Sequence, residues 1–512
     1  MICLISFALG ILSGLPMIFD FLFLLPIATF GGMFFVSLKY DRPYLHGLLF
    51  SFGYYAVGWH WLVNLYPMDF AGFSNFMSVV IIALGISFMS IVQSVGTAFV
   101  FKLFKNLHSE SRVWLSALTG ASLFTLAEWG QNFFFFGIPW SKLALSQTGV
   151  PAFLQSASLF GSLFTAFILT FIAACFALAF ANGWKKTGRT LVAVSLSVYI
   201  LNAAFGFVWM SLPQKGVKLT AAAIQGNISS TDKWADDSLS RSLEIYSGLT
   251  RRAVNETGAK LVVWPETVIT VPLNRSERVS EIISSLAKEL DCDISIGAYY
   301  TDENGDSNAV YMFRRNGSCD ETVYKKRHLV PFGEYIPIKN VVLKIFPFLA
   351  DVNMFSSEIV PGTDSEILAG SGYRAGSLVC FDSIYPSLAR ESARDGAQVL
   401  LISTNDSWYG KSAGVYEHKN QSVLRAIENG KPVVRAANTG VSVVIDRHGR
   451  EVGLLGPLTD GYASGEITLN SSTTLYSVIG DVIAYLSAFT VIAATGLKIG
   501  EKIASGRKKK CR

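Results

Sequence analysis

Residues 376–385 read GSLVCFDSIY, and this stretch decides how the more polar part of the chain is interpreted. The apolar run 377–379 predicts a buried strand that ends at a single cysteine, Cys380. Open α/β sheets place their chemistry at the carboxyl ends of their strands. Most buried cysteines only pack, so Cys380 is a candidate nucleophile that needs support from the groups around it.

Two further motifs place charged groups at the ends of predicted strands. Residues 262–266 read VVWPE, a buried run stopped by proline, with Glu266 directly after it. Residues 324–334 read YKKRHLVPFGE and supply Lys326 and Glu334. Each of these charged residues alone is most often a solvated or ion-paired group. Together with a cysteine they favour a catalytic interpretation.

A carboxylate, a lysine and a thiol form a complete set for acyl transfer. A carboxylate in a dry pocket has its pKa raised, so we expect Glu266 to act as a general base toward Cys380. We expect Lys326 to lower the pKa of the thiol and to stabilise the oxyanion of a tetrahedral intermediate. A Cys–His arrangement with His328 or His418 needs a third, orienting residue, which the sequence does not identify.

Strand-like and helix-like segments alternate on both sides of these motifs. Strands are predicted at 219–224, 261–264, 294–299, 309–313, 322–325, 376–381, 399–403, 433–437 and 442–446. Helices are predicted at 236–254, 278–290, 384–395 and 417–429. This alternation predicts an α/β domain built of helix and sheet layers.

The composition excludes an ordinary soluble protein. The chain has 512 residues, of which 51% are hydrophobic and 16% are charged, whereas typical soluble domains are about 25% charged. The apolar residues concentrate in 1–212 and 475–498. A spanning helix needs about 20 apolar residues. The candidate spans are 1–15, 18–38, 46–65, 77–102, 113–130, 154–183, 189–211 and 475–498.

Basic residues alternate between the predicted loops. Lysine and arginine follow the second, fourth, sixth and eighth spans, whereas the loops 66–76 and 131–153 contain one lysine between them. The positive-inside rule therefore places both termini in the cytoplasm and the segment between spans seven and eight outside. The predicted domains are an N-terminal bundle of seven spans (1–212), an external catalytic domain (213–474), and a C-terminal span with a basic cytoplasmic tail (475–512).

Cysteine spacing and local charge favour neither metal binding nor nucleic-acid binding. The six cysteines form no CxxC or CxxH pair, so no metal site is predicted. Cys292 and Cys319 can pair only in an oxidising compartment, a question that the sequence leaves open. The basic tail 507–512 directly follows an apolar segment, which favours a stop-transfer anchor over nucleic-acid binding.

Two apolar segments between the predicted elements have two interpretations each. The loop 131–153 contains QNFFFFGIPWSKLALSQ. It is either an aromatic belt at the membrane boundary or a wall that guides a lipid or peptide toward the external domain. The stretch 337–361 is either an arm that dips into the bilayer or covers a greasy substrate, or a short buried helix.

The order WPE, then KRHLVPFGEY, then CFDS resembles the carbon–nitrogen hydrolase (nitrilase) superfamily, whose catalytic set is Glu, Lys and Cys. The resemblance covers residues 215–470. With the spans on either side and the VPFGEY motif, the chain is similar to the apolipoprotein N-acyltransferase family of bacterial inner membranes. The resemblance implies an α-helical membrane bundle of about eight spans plus an external α/β, nitrilase-like αββα sandwich. It implies no cofactor.

The resemblance also implies a role for each site residue. Glu266 matches the general base, Lys326 the oxyanion-stabilising lysine, Cys380 the nucleophile, and Glu334 a second carboxylate that orients the lysine or relays protons. Residues matched to an oxyanion or substrate-lining role are Phe381, Asp382, Trp234, Trp140 and Asn405. Some relatives have Tyr-Glu after the cysteine, so any contact that the longer glutamate makes is in question here.

The implied reaction moves an acyl chain from a phospholipid, through a thioester on the cysteine, to the N-terminal amine of a diacylglyceryl apolipoprotein. The implied location is the bacterial inner membrane, with the catalytic domain on the periplasmic side. Two other hypotheses stay open. One is a membrane-anchored amidase of the nitrilase type that hydrolyses small amides, and the other is a transporter or sensor that only binds its ligand.

Overall fold

The structure is a computed structural model that describes residues 1–133, 137–229, 232–234, 237–345 and 359–510. The chain divides into two compact units. One unit, the helical unit, consists of residues 1–60, 83–212 and 479–512. The other, the sandwich unit, consists of residues 61–82 and 213–478.

The described residues form α-helices in both units. They are α1 (Ile2–Gly14), α2 (Leu25–Lys39), α3 (Pro43–Gly58), α4 (Asn75–Leu107), α5 (Val113–Gly130), α6 (Ala157–Phe160), α7 (Ser162–Ala181), α8 (Lys186–Ser211), α9 (Ser238–Thr257), α10 (Glu277–Leu290), α11 (Lys339–Ile345), α12 (Pro386–Arg394), α13 (Gly414–Asn429), α14 (Leu475–Ile479) and α15 (Val482–Lys510).

The helical unit is organised around a core of phenylalanine rings. Phe30 of α2 makes edge-to-face contacts with Phe50 of α3 and Phe124 of α5, at centroid distances of 5.0 and 4.8 Å. Such contacts tie three helices together.

Among the described residues, four helices are long and apolar enough to cross a membrane: α4, α7, α8 and the Val482–Ser505 part of α15. The prediction of eight spans is therefore not confirmed. Helices α1, α2 and α3 have 13, 15 and 16 residues, whereas a span of the hydrocarbon core needs about 20.

Two of the predicted spans are interrupted in the structure, although one of them still contains the long apolar helix α7. The predicted span 18–38 becomes α-helical only at Leu25. The predicted span 154–183 is divided at Gly161, whose φ of +78° is a conformation that glycine adopts readily. Hydropathy reports apolar composition along the chain and does not register such breaks.

The middle of the loop 131–153 lies in the protein interior. Residues 138–148 are all buried, and Trp140 stacks on Trp59 with ring centroids 6.0 Å apart. Residues 134–136 lie outside the described residues. Phe133 is 45% exposed, so the aromatic belt and the guiding wall both stay predictions.

The sandwich unit is built from two sheets. Its strands are β1 (Lys218–Gln225), β2 (Leu261–Val263), β3 (Ile269–Pro272), β4 (Asp293–Asp302), β5 (Gly305–Phe313), β6 (Tyr324–Lys325), β7 (Ile367–Ala369), β8 (Arg374–Val379), β9 (Val399–Thr404), β10 (Val433–Ala437), β11 (Ser442–Ile445), β12 (Glu451–Leu455) and β13 (Gly461–Thr468). One sheet has the order β13-β1-β2-β4-β5-β6, with β3 paired to β4, and the other has the order β12-β11-β10-β9-β8-β7.

The two sheets face each other across one apolar core. Val263 and Met312 from the first sheet and Val379 and Leu401 from the second belong to a single buried cluster. Helices α9 and α10 cover the outer face of the first sheet, and α12 and α13 pack on the second. The predicted α/β layers are therefore present as an αββα sandwich. Glu266 follows strand β2 of the first sheet, and Cys380 and Asn405 follow the parallel strands β8 and β9 of the second sheet.

The stretch 337–361 is described only in part. Helix α11 is exposed along much of its length, and Val341 is 51% exposed. Residues 346–358 lie outside the described residues. The alternative of a short buried helix is therefore wrong for the part that is seen, and the arm stays a prediction.

Helices α1 and α3 approach so closely that glycine is required. A Cβ atom on Gly10 would lie 1.9 Å from the Phe50 carbonyl oxygen. We expect Gly10→Ala to destabilise the helical unit, since overpacking costs about 1–3 kcal/mol. Gly85→Ala in α4 is the matched control, because a Cβ there meets open space and alanine favours a helix by roughly 0.5–1 kcal/mol. Thermal unfolding in detergent should show a lower midpoint for Gly10→Ala only; equal midpoints would contradict the close approach.

Candidate active site

Cys380 lies on a sharp turn between a strand and a short helical turn. Strand β8 ends at Val379, and a 3₁₀ turn covers Cys380–Ile384. The φ angle of Cys380 is +49°, a left-handed conformation that is uncommon outside glycine and costs on the order of 1–3 kcal/mol. Such strain is typical of functional positions, where the surroundings hold a residue in place. The residue is 8% exposed.

Lys326 joins two carboxylates in the buried part of the site. Its Nζ atom lies 3.0 Å from Glu266 Oε1 and 2.9 Å from Glu334 Oε1. The side chains of Lys326 and Glu266 are 2% and 8% exposed, and that of Glu334 is 16% exposed. One ammonium group thus forms ion pairs with two carboxylates. Removing a partner from such a buried arrangement destabilises the protein.

Backbone and amide groups position both carboxylates. Asn308 Nδ2 donates to Glu266 Oε1 at 2.7 Å, and the Asn405 backbone N–H donates to Glu266 Oε2 at 3.1 Å. The Val330 N–H donates to Glu334 Oε2 at 2.8 Å. Each carboxylate therefore has an oxygen held by the scaffold and an oxygen turned toward the lysine.

The two carboxyl groups have opposite pKa shifts. Burial alone would raise the pKa of Glu266, but the charges of Lys326 and Lys233 and hydrogen bonds from Lys326 and Asn308 outweigh it and lower the pKa. Burial raises the pKa of Glu334, and Lys326 only partly offsets it. The expectation of a raised pKa for the base is therefore wrong for Glu266, because the neighbouring charges outweigh burial. Glu266 is ionised at rest and ready to accept a proton.

The resting thiol is neutral. Burial raises the pKa of Cys380, the negative charge of Glu266 raises it further, and Lys326 opposes both effects. Burial would lower the pKa of Lys326, but Glu266 and Glu334 hold it well above its ordinary value. A neutral thiol beside an ionised carboxylate and a fixed cation is arranged for proton removal during attack.

Asp382 supports the site through buried hydrogen bonds. It is fully buried, and it accepts hydrogen bonds from the Tyr324 hydroxyl at 2.9 Å, the His328 N–H at 2.8 Å and the Val379 N–H at 3.1 Å. These contacts are structural, and the predicted substrate-lining role of Asp382 stays a prediction. The shorter carboxylate ties the Lys326 loop to the strand that ends at the cysteine.

The other predicted lining residues occupy different places. Phe381 is 7% exposed, and its ring packs edge-on against Tyr385 at 5.5 Å. Trp140 belongs to the helical unit, and the side chain of Trp234 lies outside the described residues. The roles proposed for Trp140 and Trp234 stay predictions.

Sequence reasoning missed a second lysine. Lys233 Nζ lies 3.3 Å from the Glu266 carbonyl oxygen and also donates to the Thr267 hydroxyl. Burial lowers the pKa of Lys233 to about 8, although Glu266 and Cys380 act against this. The one signal in the sequence was its position directly before Trp234.

A buried group of possible metal ligands adjoins the cysteine. Ligand atoms of Cys380, Asp406 and His418 lie within 4.8 Å of one another. Arg435, however, donates to Asp406 Oδ2 at 2.7 Å, so a fixed cation already neutralises this carboxylate. The donor set does not fit a metal ion. Asp406 is nevertheless the orienting partner of His418 that the sequence did not identify.

The charges around the thiol predict how its reactivity depends on pH. We expect Glu266→Gln to move the midpoint of Cys380 alkylation by iodoacetamide to lower pH, because the carboxylate raises the thiol pKa. We expect Lys326→Met to move it to higher pH, because the ammonium lowers that pKa. Peptide mass spectrometry after labelling across pH separates Cys380 from the other cysteines.

The exposed Glu303 provides the control for this experiment. Glu303→Gln should leave the midpoint where it is in the unmodified chain. Midpoints that do not differ between Glu266→Gln and Lys326→Met would contradict the described charge arrangement.

Two family profiles match the chain. The carbon-nitrogen hydrolase profile matches residues 220–476, and the profile of the apolipoprotein N-acyltransferase N-terminal domain matches residues 8–175. These two matches correspond to most of the sandwich unit and to a large part of the helical unit.

Relatives match over most of their length. The apolipoprotein N-acyltransferase of Geobacter metallireducens is 30% identical over 382 residues, which cover 72% of each chain. That of Rickettsia prowazekii is 28% identical over 510 residues, or 96% of each chain. A crystal structure of a carbon-nitrogen hydrolase from Helicobacter pylori G27 is 19% identical with a TM-score of 0.39, and covers 49% of this chain and 89% of its own. On the evidence of the profiles and the first two relatives, the chain belongs to the apolipoprotein N-acyltransferase family.

Proposed function

We propose that this chain transfers an acyl chain from a phospholipid to the N-terminal amine of a diacylglyceryl apolipoprotein, through a thioester on Cys380. The observation that carries the proposal is the buried Glu266–Lys326–Glu334 cluster, with contacts of 3.0 and 2.9 Å, in electrostatic contact with the Cys380 thiol. Membership in a family named for this reaction supports it.

In the first half-reaction, Glu266 takes the proton of the Cys380 thiol while the sulfur attacks the ester carbonyl carbon of the phospholipid. The new C–S bond leaves a tetrahedral oxyanion, which Lys326 stabilises. The C–O bond then breaks, and the protonated Glu266 returns its proton to the departing oxygen. The products are a lysophospholipid and the thioester.

In the second half-reaction, the neutral α-amine of the diacylglyceryl-cysteine attacks the thioester carbonyl. Glu266 accepts a proton from the attacking nitrogen, and Lys326 again stabilises the oxyanion. The C–S bond breaks, and the proton returns to the sulfur. Glu334 keeps Lys326 in place between the two steps through its 2.9 Å contact.

The helical unit fits this chemistry, because both substrates are lipids that need not leave the bilayer. We infer three domains: a membrane bundle at 1–212, a catalytic domain at 213–474, and a C-terminal span and tail at 475–512. Bacterial relatives such as that of Geobacter metallireducens support a bacterial inner-membrane location, and the distribution of basic residues supports a catalytic domain on the periplasmic side with both termini in the cytoplasm.

An amidase that hydrolyses small amides would use the same three residues. The match of the N-terminal region to an acyltransferase domain profile favours acyl transfer over that alternative. Among the described residues, four helices are long and apolar enough to cross a membrane, whereas a simple anchor needs only one.

Labelled phospholipid tests the proposal. We expect the protein to form an acyl adduct that neutral hydroxylamine removes, with one lysophospholipid released for each adduct, because the sulfur is the nucleophile. Cys380→Ser should form no such adduct, whereas Cys319→Ser, at an exposed free cysteine, should behave like the unmodified chain. Intact-protein mass spectrometry and lipid chromatography measure the two products.

A hydroxylamine-sensitive adduct on Cys380→Ser would show that the mechanism is wrong. Ammonia released from small amides, with no lysophospholipid formed, would favour the amidase.

A further inference from the structure

A group of buried polar side chains lies behind the Cys380 peptide and has no part in the mechanism above. We call it the His418 cluster; it consists of Ser383, Thr404, Asp406, His418 and Arg435. All five are at most 1% exposed. They come from the turn after β8, the end of β9, the loop after β9, helix α13 and strand β10.

The cluster contacts the nucleophile through its backbone. His418 Nε2 lies 3.2 Å from the Cys380 carbonyl oxygen, and the Ser383 hydroxyl donates to the same oxygen at 2.7 Å. His418 Nε2 also lies 3.1 Å from that hydroxyl. Two side chains thus converge on the peptide unit that follows the strained cysteine.

His418 is itself held in place. Its Nδ1 atom lies 2.8 Å from Asp406 Oδ1. Arg435 donates to Asp406 Oδ2 at 2.7 Å and lies 3.0 Å from His418 Nδ1. The Thr404 hydroxyl donates to Asp406 at 2.8 Å. Both ring nitrogens have partners, so the imidazole has one orientation in the core.

The cluster is poorly explained by stability alone. Burying a carboxylate and a guanidinium carries a large desolvation cost, and such pairs often add nothing to stability over apolar residues of similar volume. Cys380, in contrast, needs help, because its φ of +49° disfavours the observed conformation. A small shift of this turn would move the sulfur away from Glu266 and Lys326.

We propose that His418, oriented by Asp406 and Arg435, is a positioning residue that holds the Cys380 peptide so that its thiol faces Glu266 and Lys326. Its effect on acyl transfer rests on the proposed function, whereas its effect on the thiol itself does not. The two effects are therefore measured separately in the same full-length protein.

His418→Leu removes the polar contacts while keeping an apolar side chain in the core. We expect the single-turnover rate of acyl-enzyme formation from labelled phospholipid to fall about 10²-fold, as misplacement of a reacting group by ~1 Å does, with KM for phospholipid unchanged. We also expect iodoacetamide to label Cys380 faster, because a loosened turn exposes the thiol. His418→Gln, which retains a polar group, should recover part of both changes.

Cys292 is the internal control, since it is fully buried in the core of the same unit. Its labelling should stay at the unmodified rate in His418→Leu. Parallel increases at Cys292 and Cys380 would mean general loosening of the fold and would overturn the proposal. So would an unchanged acylation rate in folded His418→Leu, or a loss confined to KM.

Ser383→Ala serves if His418→Leu does not fold, because it removes only one of the two contacts with the Cys380 carbonyl. Smaller changes of the same sign are expected, and no change in either measurement would overturn the proposal. Faster, selective labelling of Cys380 in a protein that shows no acyl transfer at all would support positioning while refuting the proposed function.

Discussion

One ammonium group shared by two buried carboxylates is the interaction on which the site depends. Lys326 lies 3.0 Å from Glu266 and 2.9 Å from Glu334, and removing one partner of such a buried arrangement costs on the order of 3–5 kcal/mol. The same charges determine the protonation of the thiol. Glu266 stays ionised because Lys326 is fixed beside it, and Cys380 stays neutral because burial and then the charge of Glu266 raise its pKa. The resting site therefore combines an ionised carboxylate with a neutral thiol.

The scaffold fixes this arrangement from two sides. Asp382 ties the loop that carries Lys326 to the end of strand β8. The His418 cluster contacts the carbonyl oxygen of the cysteine itself. Both groups are fully buried, and both act on backbone conformation. A strained turn at the nucleophile is thus held by polar contacts that the surrounding sandwich brings together.

Much of the sandwich could be predicted because its central strands are short apolar runs followed by polar residues. Strands β3, β7 and β13 were missed, since β3 and β7 are only four and three residues long and β13 carries a charge and two glycines. The motifs holding Glu266, Lys326 and Cys380 are local and could be read directly. Asn308 and His418 could not, because long-range packing brings them to the site. Every residue of helix α13 except Tyr416 is buried, although the helix carries charged residues, and hydropathy cannot reveal charges that are paired inside a core.

Rapid-quench mass spectrometry of a single turnover can follow one acyl chain from the first lipid, through the sulfur of Cys380, to the second lipid. The protein is first mixed with labelled phospholipid and then with a diacylglyceryl-cysteine peptide. We predict that an acyl group appears on Cys380, persists until the peptide is added, and then passes to the peptide amine at a rate that rises with peptide concentration. Acylated peptide that forms without prior label on Cys380, or an acyl group that passes to water as free fatty acid, would refute transfer through a Cys380 thioester to the amine.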